Sequence, residues 1–258
     1  MCIRDRLPPN AMTLSNSSDI AGYWRNDSNL SWTDLSGNGN DTGSASGSPD
    51  ALLFKQGING SKNVNTGRDG QGFPLFHKNV GAMGFEPHNY VDVGSLGTSG
   101  EFSSCTISLW MRKGVQIDNY GNLFDCNFGI THLNKGPRME VDIAGSVVRV
   151  IMGTDGGSYT SISFGSLSND VWYNLVITIT PNGSNMDLKS YTDGVLYTSS
   201  TPTGTTWDGD VGDLYFGVGF NTGRYFTGDI ANFQIYDRVL TYAEIQQNYN
   251  SFKARFGK

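Results

Sequence analysis

The sequence predicts an all-β fold, a two-sheet antiparallel jellyroll sandwich with one short C-terminal helix. Three observations predict it. Short runs of Val, Ile, Thr, Tyr and Phe follow one another between Gly, Asn, Asp and Ser. Glycine is frequent, at 34 of 258 residues, which suits a fold with many tight turns. Aromatic residues make up 12% of the chain and supply apolar area for the space between two packed sheets.

The most distinct strand is predicted over residues 171–180, where β-branched and aromatic residues predominate. The turn residues Pro181-Asn182-Gly183 are expected to end it. A partner strand is predicted over residues 187–192. Asp193-Gly194 then predicts a type I′ hairpin turn, because such a turn needs positive φ at both central residues. Residues 171–199 are therefore predicted to form a meander.

Residues 104–112 are predicted to form a strand with two different faces. Ile107, Leu109 and Met111 share one face, whereas Trp110 lies on the other, which predicts that both faces are covered. Further strands are predicted around residues 80–85, 89–93, 121–126, 137–143, 146–152, 158–164, 212–220 and 225–236. This number of strands is enough for two packed sheets.

One helix is predicted, close to the end of the sequence. Thr241 and Glu244 have the spacing of a capping box, in which each residue bonds the backbone amide of the other. An apolar stripe follows at helical spacing and consists of Ile245, Tyr249, Phe252 and Phe256. The stripe is expected to pack on the sandwich, and a partner-binding surface is the less common use of such a pattern.

The chain is expected to form a single domain over residues 7–258, because sandwiches of this length commonly form one unit. Residues 1–6 resemble a non-native leader and are excluded from the fold prediction. No segment has the roughly 20 apolar residues of a membrane-spanning helix, so membrane insertion is not expected. A net charge of −6 without a Lys/Arg cluster argues against a nucleic-acid partner.

The three cysteines, Cys2, Cys105 and Cys126, show no metal-ligand spacing and leave an odd one. Cys105 and Cys126 are interpreted as buried thiols on strands, since free Cys behaves as a small apolar residue. A bridge between these two cysteines is left open by the sequence.

Six segments occur in the order typical of laminin G-like domains. They are Asp34–Asp41, Asn89–Val93, Thr106–Met111, Val171–Val176, Tyr191–Tyr197 and Gly228–Asn250. The ordered set resembles the laminin G-like, concanavalin A-like jellyroll family over roughly residues 20–250. The resemblance implies a binding or adhesion module whose two ends meet. Gly72–Leu75 and Asn248–Lys258 are similar to modules of phage and other virion or cell-surface proteins, which implies a virion or extracellular location.

The Asp34–Asp41 loop has the composition of a calcium site. Its carboxylate and amide oxygens are hard donors on a Gly-rich loop, and Ca²⁺ accepts six to eight such ligands. The family resemblance implies a calcium ion between this loop and an acidic residue near the last strand, which Asp229 matches. The implied metal ligands are Asp34, Asn38, Asp41 and Asp229. The same Asp and Asn residues also suit Asx turns, so the sequence leaves both interpretations open.

Carbohydrate binding needs an exposed aromatic ring beside polar groups that fix the sugar hydroxyls. Trp207 with Asp208 is the leading candidate, and Tyr120 and Tyr159 are the others, because all lie in or beside predicted loops. The alternative for each ring is that it folds inward and caps the core.

An enzymatic alternative starts from Glu140 and Asp142. The segment Glu140–Ile143 resembles the start of the Glu-x-Asp-x-Glu motif of laminarinase-type glycosidases, which share this superfamily fold. Ala144 follows where the motif has its last carboxylate, so the pair needed for glycoside hydrolysis is incomplete. The two acidic residues are instead expected to form a solvated face, and no catalytic residue is predicted.

The sequence therefore predicts a noncatalytic recognition or adhesion module with calcium-ordered loops. Its predicted partner is a glycan or a protein surface, and further domains of a longer chain are expected beside it. The main alternative is a structural or assembly domain of a virion appendage or adhesin that has no free ligand. A polysaccharide-cleaving enzyme is the third alternative, and the incomplete motif argues against it.

Overall fold

The computed structural model describes residues 20–25, 33–34, 76–77, 82–85, 91–95, 104–116, 120–128, 137–142, 146–153, 159–203, 213–219 and 224–258. The strands in these ranges are β1 (Ile20–Arg25), β2 (Thr33–Asp34), β3 (Phe76–His77), β4 (Ala82–Phe85), β5 (Val91–Ser95), β6 (Cys105–Lys113), β7 (Asn122–Phe128), β8 (Arg138–Val141), β9 (Val147–Gly153), β10 (Tyr159–Ser166), β11 (Trp172–Asn182), β12 (Asn185–Thr192), β13 (Val195–Ser200), β14 (Asp213–Phe216) and β15 (Gly228–Tyr236). These ranges also contain one α-helix, α1 (Tyr242–Phe252), which runs into a 3₁₀ turn over Lys253–Phe256.

The strands form two antiparallel sheets. The nine-stranded sheet has the order β13-β12-β11-β6-β15-β1-β2, with β4 beside the first part of β15 and β3 beside β4. The six-stranded sheet has the order β10-β9-β8-β7-β14-β5. Strand β1 pairs with β15, so the early and late parts of the chain are neighbours in one sheet. The predicted all-β, two-sheet architecture with one C-terminal helix is confirmed.

The predicted meander is present as β11, β12 and β13, but its first turn is shifted. Pro181 lies inside β11 opposite Met186 and does not end the strand. At this point β11 has a neighbour on only one side, because its pairing with β6 stops at Ile179. Proline is tolerated there since no amide hydrogen is needed for the missing neighbour. The turn is therefore formed by residues 183–184.

The main core lies between the inner faces of the two sheets. It contains alternate residues of several strands, among them Ile107, Leu109 and Met111 of β6 and Val148 and Val150 of β9. Full burial of one such side chain contributes about 1.5–3 kcal/mol to folding. The two-residue period that predicted the strands therefore also selects which residues fill the core.

Cys105 and Cys126 are buried thiols in this core, as interpreted from the sequence. Burial raises the pKa of both thiols, and the neighbouring Asp125 carboxylate raises that of Cys126 further. Both residues thus behave as small apolar side chains within the sandwich.

Helix α1 and the following turn cover the outer face of the nine-stranded sheet. Trp110 is 1% exposed and its ring stacks on Phe256 at 4.2 Å and on Tyr249 at 5.7 Å between centroids. A second apolar cluster joins Ile245 of the helix to Tyr236 and other residues of the sheet. The prediction that both faces of β6 are covered is confirmed, and the apolar stripe of the helix forms the cover.

Thr241 and Glu244 form the predicted capping box, and an ion pair extends it. The Glu244 carboxylate accepts hydrogen bonds from Arg238 Nη2 at 2.7 Å and from the Thr241 amide at 2.7 Å. The Arg238 hydrogen bond is the largest cause that lowers the pKa of Glu244 from 4.5 to about 2.

Because the pKa of Glu244 is lower in the folded than in the unfolded chain, its stabilising effect is complete above pH 4.5 and is lost as the pH falls towards 2. We expect Glu244→Gln to remove this part of the acid dependence while a glutamine still serves the capping box. Urea unfolding of both proteins at pH 5.5 and pH 3 measures the difference. Parallel pH dependences would show that the pair adds nothing to stability.

The turn at Asp193-Gly194 offers a test with a matched control. Both residues have positive φ, 51° and 75°, as the type I′ prediction required. A Cβ at Gly194 would lie 3.1 Å from the Tyr249 side chain, whereas a Cβ at Gly183, with φ 61°, would meet nothing within 4 Å. We expect Gly194→Ala to cost about 2 kcal/mol and Gly183→Ala about 1 kcal/mol in chemical denaturation. Equal losses of stability in the two variants would mean that the Tyr249 side chain moves away from the new methyl group without cost.

Candidate ligand-binding face

The predicted site residues fall into two groups in the structure. Three have described side chains, namely Tyr120, Tyr159 and Asp229. Asp34 is placed only through its backbone in β2, and the remaining predicted residues, Asn38, Asp41, Trp207 and Asp208, lie outside the described residues. The metal-binding and ligand-binding roles of these five residues stay predictions.

Tyr120 leads to a polar patch on the outer face of the six-stranded sheet. In β8, Met139 and Val141 point into the core, so Arg138 and Glu140 point to the outer face. Arg149 of β9 lies opposite Glu140 in the antiparallel register. Alternation and register thus bring charged residues together on the side of the sheet away from the core.

Glu140 is the centre of this patch. It is 1% exposed, and its Oε1 atom accepts hydrogen bonds from Arg149 Nη2 at 2.7 Å and Nε at 3.0 Å. Its Oε2 atom accepts from Arg138 Nε at 3.2 Å and from Arg224 Nη1 at 3.5 Å. The expectation of a solvated acidic face is therefore wrong at Glu140. A buried carboxylate requires paired charges and hydrogen bonds, which three guanidinium groups supply here.

Asp142 has a different role from Glu140. Its Oδ1 atom accepts hydrogen bonds from the amides of Ser146 at 3.0 Å and Val147 at 3.1 Å and so closes the connection between β8 and β9. The Glu140 carboxylate thus binds arginine side chains, whereas the Asp142 carboxylate binds backbone amides. They do not form the facing pair that glycoside hydrolysis needs.

The ring of Tyr120 lies against two of the arginines. The guanidinium carbon of Arg149 lies 5.5 Å and that of Arg224 5.0 Å from the ring centroid, both within cation–π range. The backbone carbonyl of Arg224 accepts the amide of Asn122 at 3.0 Å, which fixes Arg224 beside the start of β7. We define Tyr120, Arg138, Glu140, Arg149 and Arg224 as the arginine–tyrosine cluster.

The cluster is partly accessible to solvent. The side chains of Arg149 and Arg224 are 26% and 29% exposed, whereas that of Arg138 is almost buried. The cluster contains three positive groups and one negative group, although the whole chain has a formal net charge of −6. Asp125, a second buried carboxylate, pairs in register with Arg138. The accessible part of the cluster is therefore cationic and next to an aromatic ring.

Tyr159 lies on the same face but apart from the cluster. Ile162 and Phe164 of β10 point into the core, so Tyr159 points outward, and it is 57% exposed. Ser163 is opposite Arg149, and Tyr159 is four residues further along β10, about 13 Å at ordinary strand spacing. The structure thus places Tyr120 inside the cluster and Tyr159 as a separate exposed ring on the same face.

Asp229 does not fit a calcium site. It is buried, and its Oδ2 atom accepts a hydrogen bond from Arg112 Nε at 2.7 Å. In register, Asp34 is two strands away and level with Phe233, which puts the Asp34 and Asp229 backbones roughly 15 Å apart. One ion at 2.3–2.6 Å from each ligand oxygen cannot join them. No group of three potential metal-binding side chains occurs within the described ranges.

Asn232 lies closer than Asp229 to the backbone of Asp34. It is buried at a bulge in β15, with φ 50°, and its side-chain oxygen and nitrogen have no hydrogen-bond partner among the described residues. It precedes Phe233, which is opposite Trp24, the neighbour of Asp34. Its amide oxygen is a hard donor of the kind that Ca²⁺ accepts.

No helix in the described part of the chain has the length and apolar character to cross a membrane.

A laminin G family model, described as the concanavalin A-like lectin/glucanases superfamily, matches residues 85–246. No curated protein matches the chain. The chain is similar in structure to the ligand-binding domain of botulinum neurotoxin serotype D in complex with N-acetylneuraminic acid, with TM-score 0.59, 16% identity and coverage of 93% of this chain and 52% of that chain.

Two further similar structures are also binding domains. For the binding domain of Paraclostridial Mosquitocidal Protein 1, the TM-score is 0.58 and the identity 18%, with coverage of 92% of this chain and 53% of that chain. For the botulinum neurotoxin type G receptor-binding domain, the values are 0.57 and 16%, with coverage of 90% and 51%. The chain thus spans about half the length of these solved chains. At this level of identity, the similarity is one of fold.

Proposed function

The chain belongs to the concanavalin A-like lectin/glucanases superfamily, as the match over residues 85–246 shows, and we propose that it is a noncatalytic module that binds glycans at the outer face of its six-stranded sheet. The arginine–tyrosine cluster is the observation that carries this proposal. It combines a half-buried aromatic ring with partly exposed hydrogen-bond donors that are held in place. Sugar sites need this combination, since the ring packs on the sugar and the donors fix its oxygens.

The comparisons support glycan binding as a class of function. The serotype D domain is described in complex with N-acetylneuraminic acid, although this chain spans only 52% of that domain. The noncatalytic part of the proposal rests on Glu140 and Asp142, because the hydrogen bonds of both carboxylates serve the fold. The proposed location is the surface of a virion or a cell, where such a module meets its ligand.

A glycan array probed with the full chain tests the proposal. We expect binding to a restricted set of glycans, and we expect Tyr120→Ala to weaken it because the substitution removes the aromatic ring beside the two arginines. Tyr242→Ala is the matched control, since Tyr242 is an exposed tyrosine on the helix that covers the other sheet. An array without bound glycan, or equal losses in both variants, would contradict the proposed site.

An assembly role is the second candidate, and strand β13 favours it. Among the described strands, β13 lies at the edge of the nine-stranded sheet, and its residues Val195, Leu196 and Tyr197 are all exposed. Unpaired edge strands with apolar side chains can pair with another chain. Sedimentation of the wild type and of Leu196→Lys would show a concentration-dependent oligomer that the lysine weakens. A monomer at all concentrations would argue against self-assembly through β13.

Calcium remains part of the proposal for the Asp34–Asp41 loop but not for Asp229. The proposed ligands are Asp34, Asn38 and Asp41, and Asn232 is the donor on the last strand. A bound ion would order the loop and stabilise the native state by mass action. We expect Ca²⁺ to raise the thermal midpoint of the wild type and not that of Asp41→Asn. An equal midpoint of the wild type with Ca²⁺ and with a chelator would exclude the ion.

A further inference from the structure

The proposed glycan-binding function leaves the class of sugar open, and the cluster narrows it. We propose that the ligand is an acidic saccharide whose carboxylate is bound by Arg149 and Arg224 beside Tyr120. The inference rests on the proposed function and adds the chemical group that the site recognises. Three features of the cluster support it: the unused donors of Arg149, the geometry imposed by Glu140 and the position of the Tyr120 ring.

Arg149 has hydrogen-bonding capacity that the protein does not use. A guanidinium group has five N–H donors in a planar fork. Two of its nitrogens, Nε and Nη2, donate to Glu140 Oε1. The other donors have no hydrogen-bond partner among the described residues, and the side chain is 26% exposed. A planar fork with free donors matches a carboxylate, which accepts two parallel hydrogen bonds from arginine.

Glu140 holds the arginines for a ligand and does not compete with it. Its two oxygens accept four hydrogen bonds from three guanidinium groups, which fills its acceptor sites. The side chains of Arg149 and Arg224 are 26% and 29% exposed, so the part of this patch that a ligand can reach is cationic. A ligand carboxylate at the exposed side of Arg149 would form charge-assisted hydrogen bonds with the donors that Glu140 leaves unused. A neutral sugar would not gain this energy.

Tyr120 fixes the orientation of both guanidinium groups and shapes the site. Its ring lies 5.5 Å from the Arg149 carbon and 5.0 Å from the Arg224 carbon. The exposed ring of Tyr159 lies on the same face. Along β10, Tyr159 is about 13 Å from Ser163, the residue opposite Arg149. This separation favours a ligand longer than one sugar, with its acidic residue at the cluster and a further sugar near Tyr159.

The first test compares matched ligands by titration calorimetry on the full chain. The acidic probes are 3′-sialyllactose and trigalacturonate, and the neutral probes are lactose and carboxyl-reduced trigalacturonate. We expect at least one acidic probe to bind at least tenfold more tightly than its neutral counterpart. Its affinity should fall as salt rises, because the recognition is between charges. The inference would be overturned if the acidic and the neutral probe of each pair bind with equal affinity. It would also be overturned if none of the four probes binds.

The second test compares a variant of Arg149 that loses the positive charge with one that keeps it. We expect Arg149→Gln to weaken the acidic probe at least tenfold and Arg149→Lys to weaken it less, since lysine keeps the charge but lacks the fork. Lys189→Gln is the control, because Lys189 is exposed on β12 of the other sheet. Thermal midpoints confirm that each variant is folded, and Arg149→Lys serves if Arg149→Gln does not fold. Full acidic-probe affinity in a folded Arg149 variant would overturn the inference.

The two proposals fail separately. If the chain binds only neutral glycans and Tyr120→Ala weakens that binding, the proposal of an acidic ligand is overturned. The proposal that this face binds glycans then still holds. Failure to bind any glycan on the array would overturn both. Acidic-glycan binding that Tyr120→Ala and Arg149→Gln leave unchanged would place the site elsewhere on the chain.

Discussion

Replacing Trp110 with Ala is expected to lower the free energy of unfolding by about 3–5 kcal/mol. Trp110 is 1% exposed and stacks on Phe256 at 4.2 Å and on Tyr249 at 5.7 Å. The substitution removes the largest buried side chain under the helix and leaves a cavity that the rigid sheet cannot close. Urea denaturation followed by circular dichroism measures the loss.

Trp172 provides the matched control for Trp110. It is a tryptophan on the neighbouring strand β11 that contacts Phe256 at 4.8 Å but is only partly buried. Trp172→Ala should therefore cost clearly less than Trp110→Ala. A double-mutant cycle of Trp110→Ala and Phe256→Leu should give a coupling of about 0.5–1.5 kcal/mol for the stacked pair. A loss below about 1 kcal/mol in Trp110→Ala would mean that the helix is not fixed on this face.

The same region shows which parts of the fold could be predicted from the sequence. The capping box and the apolar stripe of α1 are local patterns, and Trp110 on the second face of β6 already required a cover. The Asp193-Gly194 turn was predictable because only few residue pairs accept two positive φ angles. Pro181 was assigned wrongly because its strand has one neighbour at that point, a feature of the sheet and not of the local sequence.

The site was harder to predict, because its contacts depend on strand register. Tyr120 was a candidate from its loop position, but its partners Arg149 and Arg224 are distant in the chain. Glu140 was expected on a solvated face, and alternation did place it on the outer face. Three arginines cover Glu140, so it is a buried ion-pair partner and not a solvated carboxylate. No periodicity in the sequence indicates which basic residues lie beside it. The pairing of Asp229 with Arg112 across neighbouring strands was missed for the same reason.

Replacing Glu140 with Gln is expected to lower the free energy of unfolding by about 3 kcal/mol. Removing one partner of a buried ion pair typically costs 3–5 kcal/mol, because the remaining charges lose their compensation. We take the lower value since Arg149 and Arg224 are 26% and 29% exposed and keep some contact with water. Glu244→Gln is the control at neutral pH, because its ion pair with Arg238 is more exposed and such pairs contribute about 1 kcal/mol or less. Thermal and urea unfolding of both variants at pH 7 measure these losses.

The response of Glu140→Gln to anions links stability to ligand binding. Without the Glu140 carboxylate, three guanidinium groups lose the anion that they share and should bind anions more strongly than in the wild type. Because a ligand that binds only the native state stabilises it, sulfate should raise the thermal midpoint of Glu140→Gln more than that of the wild type. Glu244→Gln, which leaves the cluster intact, should respond as the wild type does. If sulfate stabilises all three proteins equally, Glu140 does not set the charge of this face, and the arginines are held by other contacts.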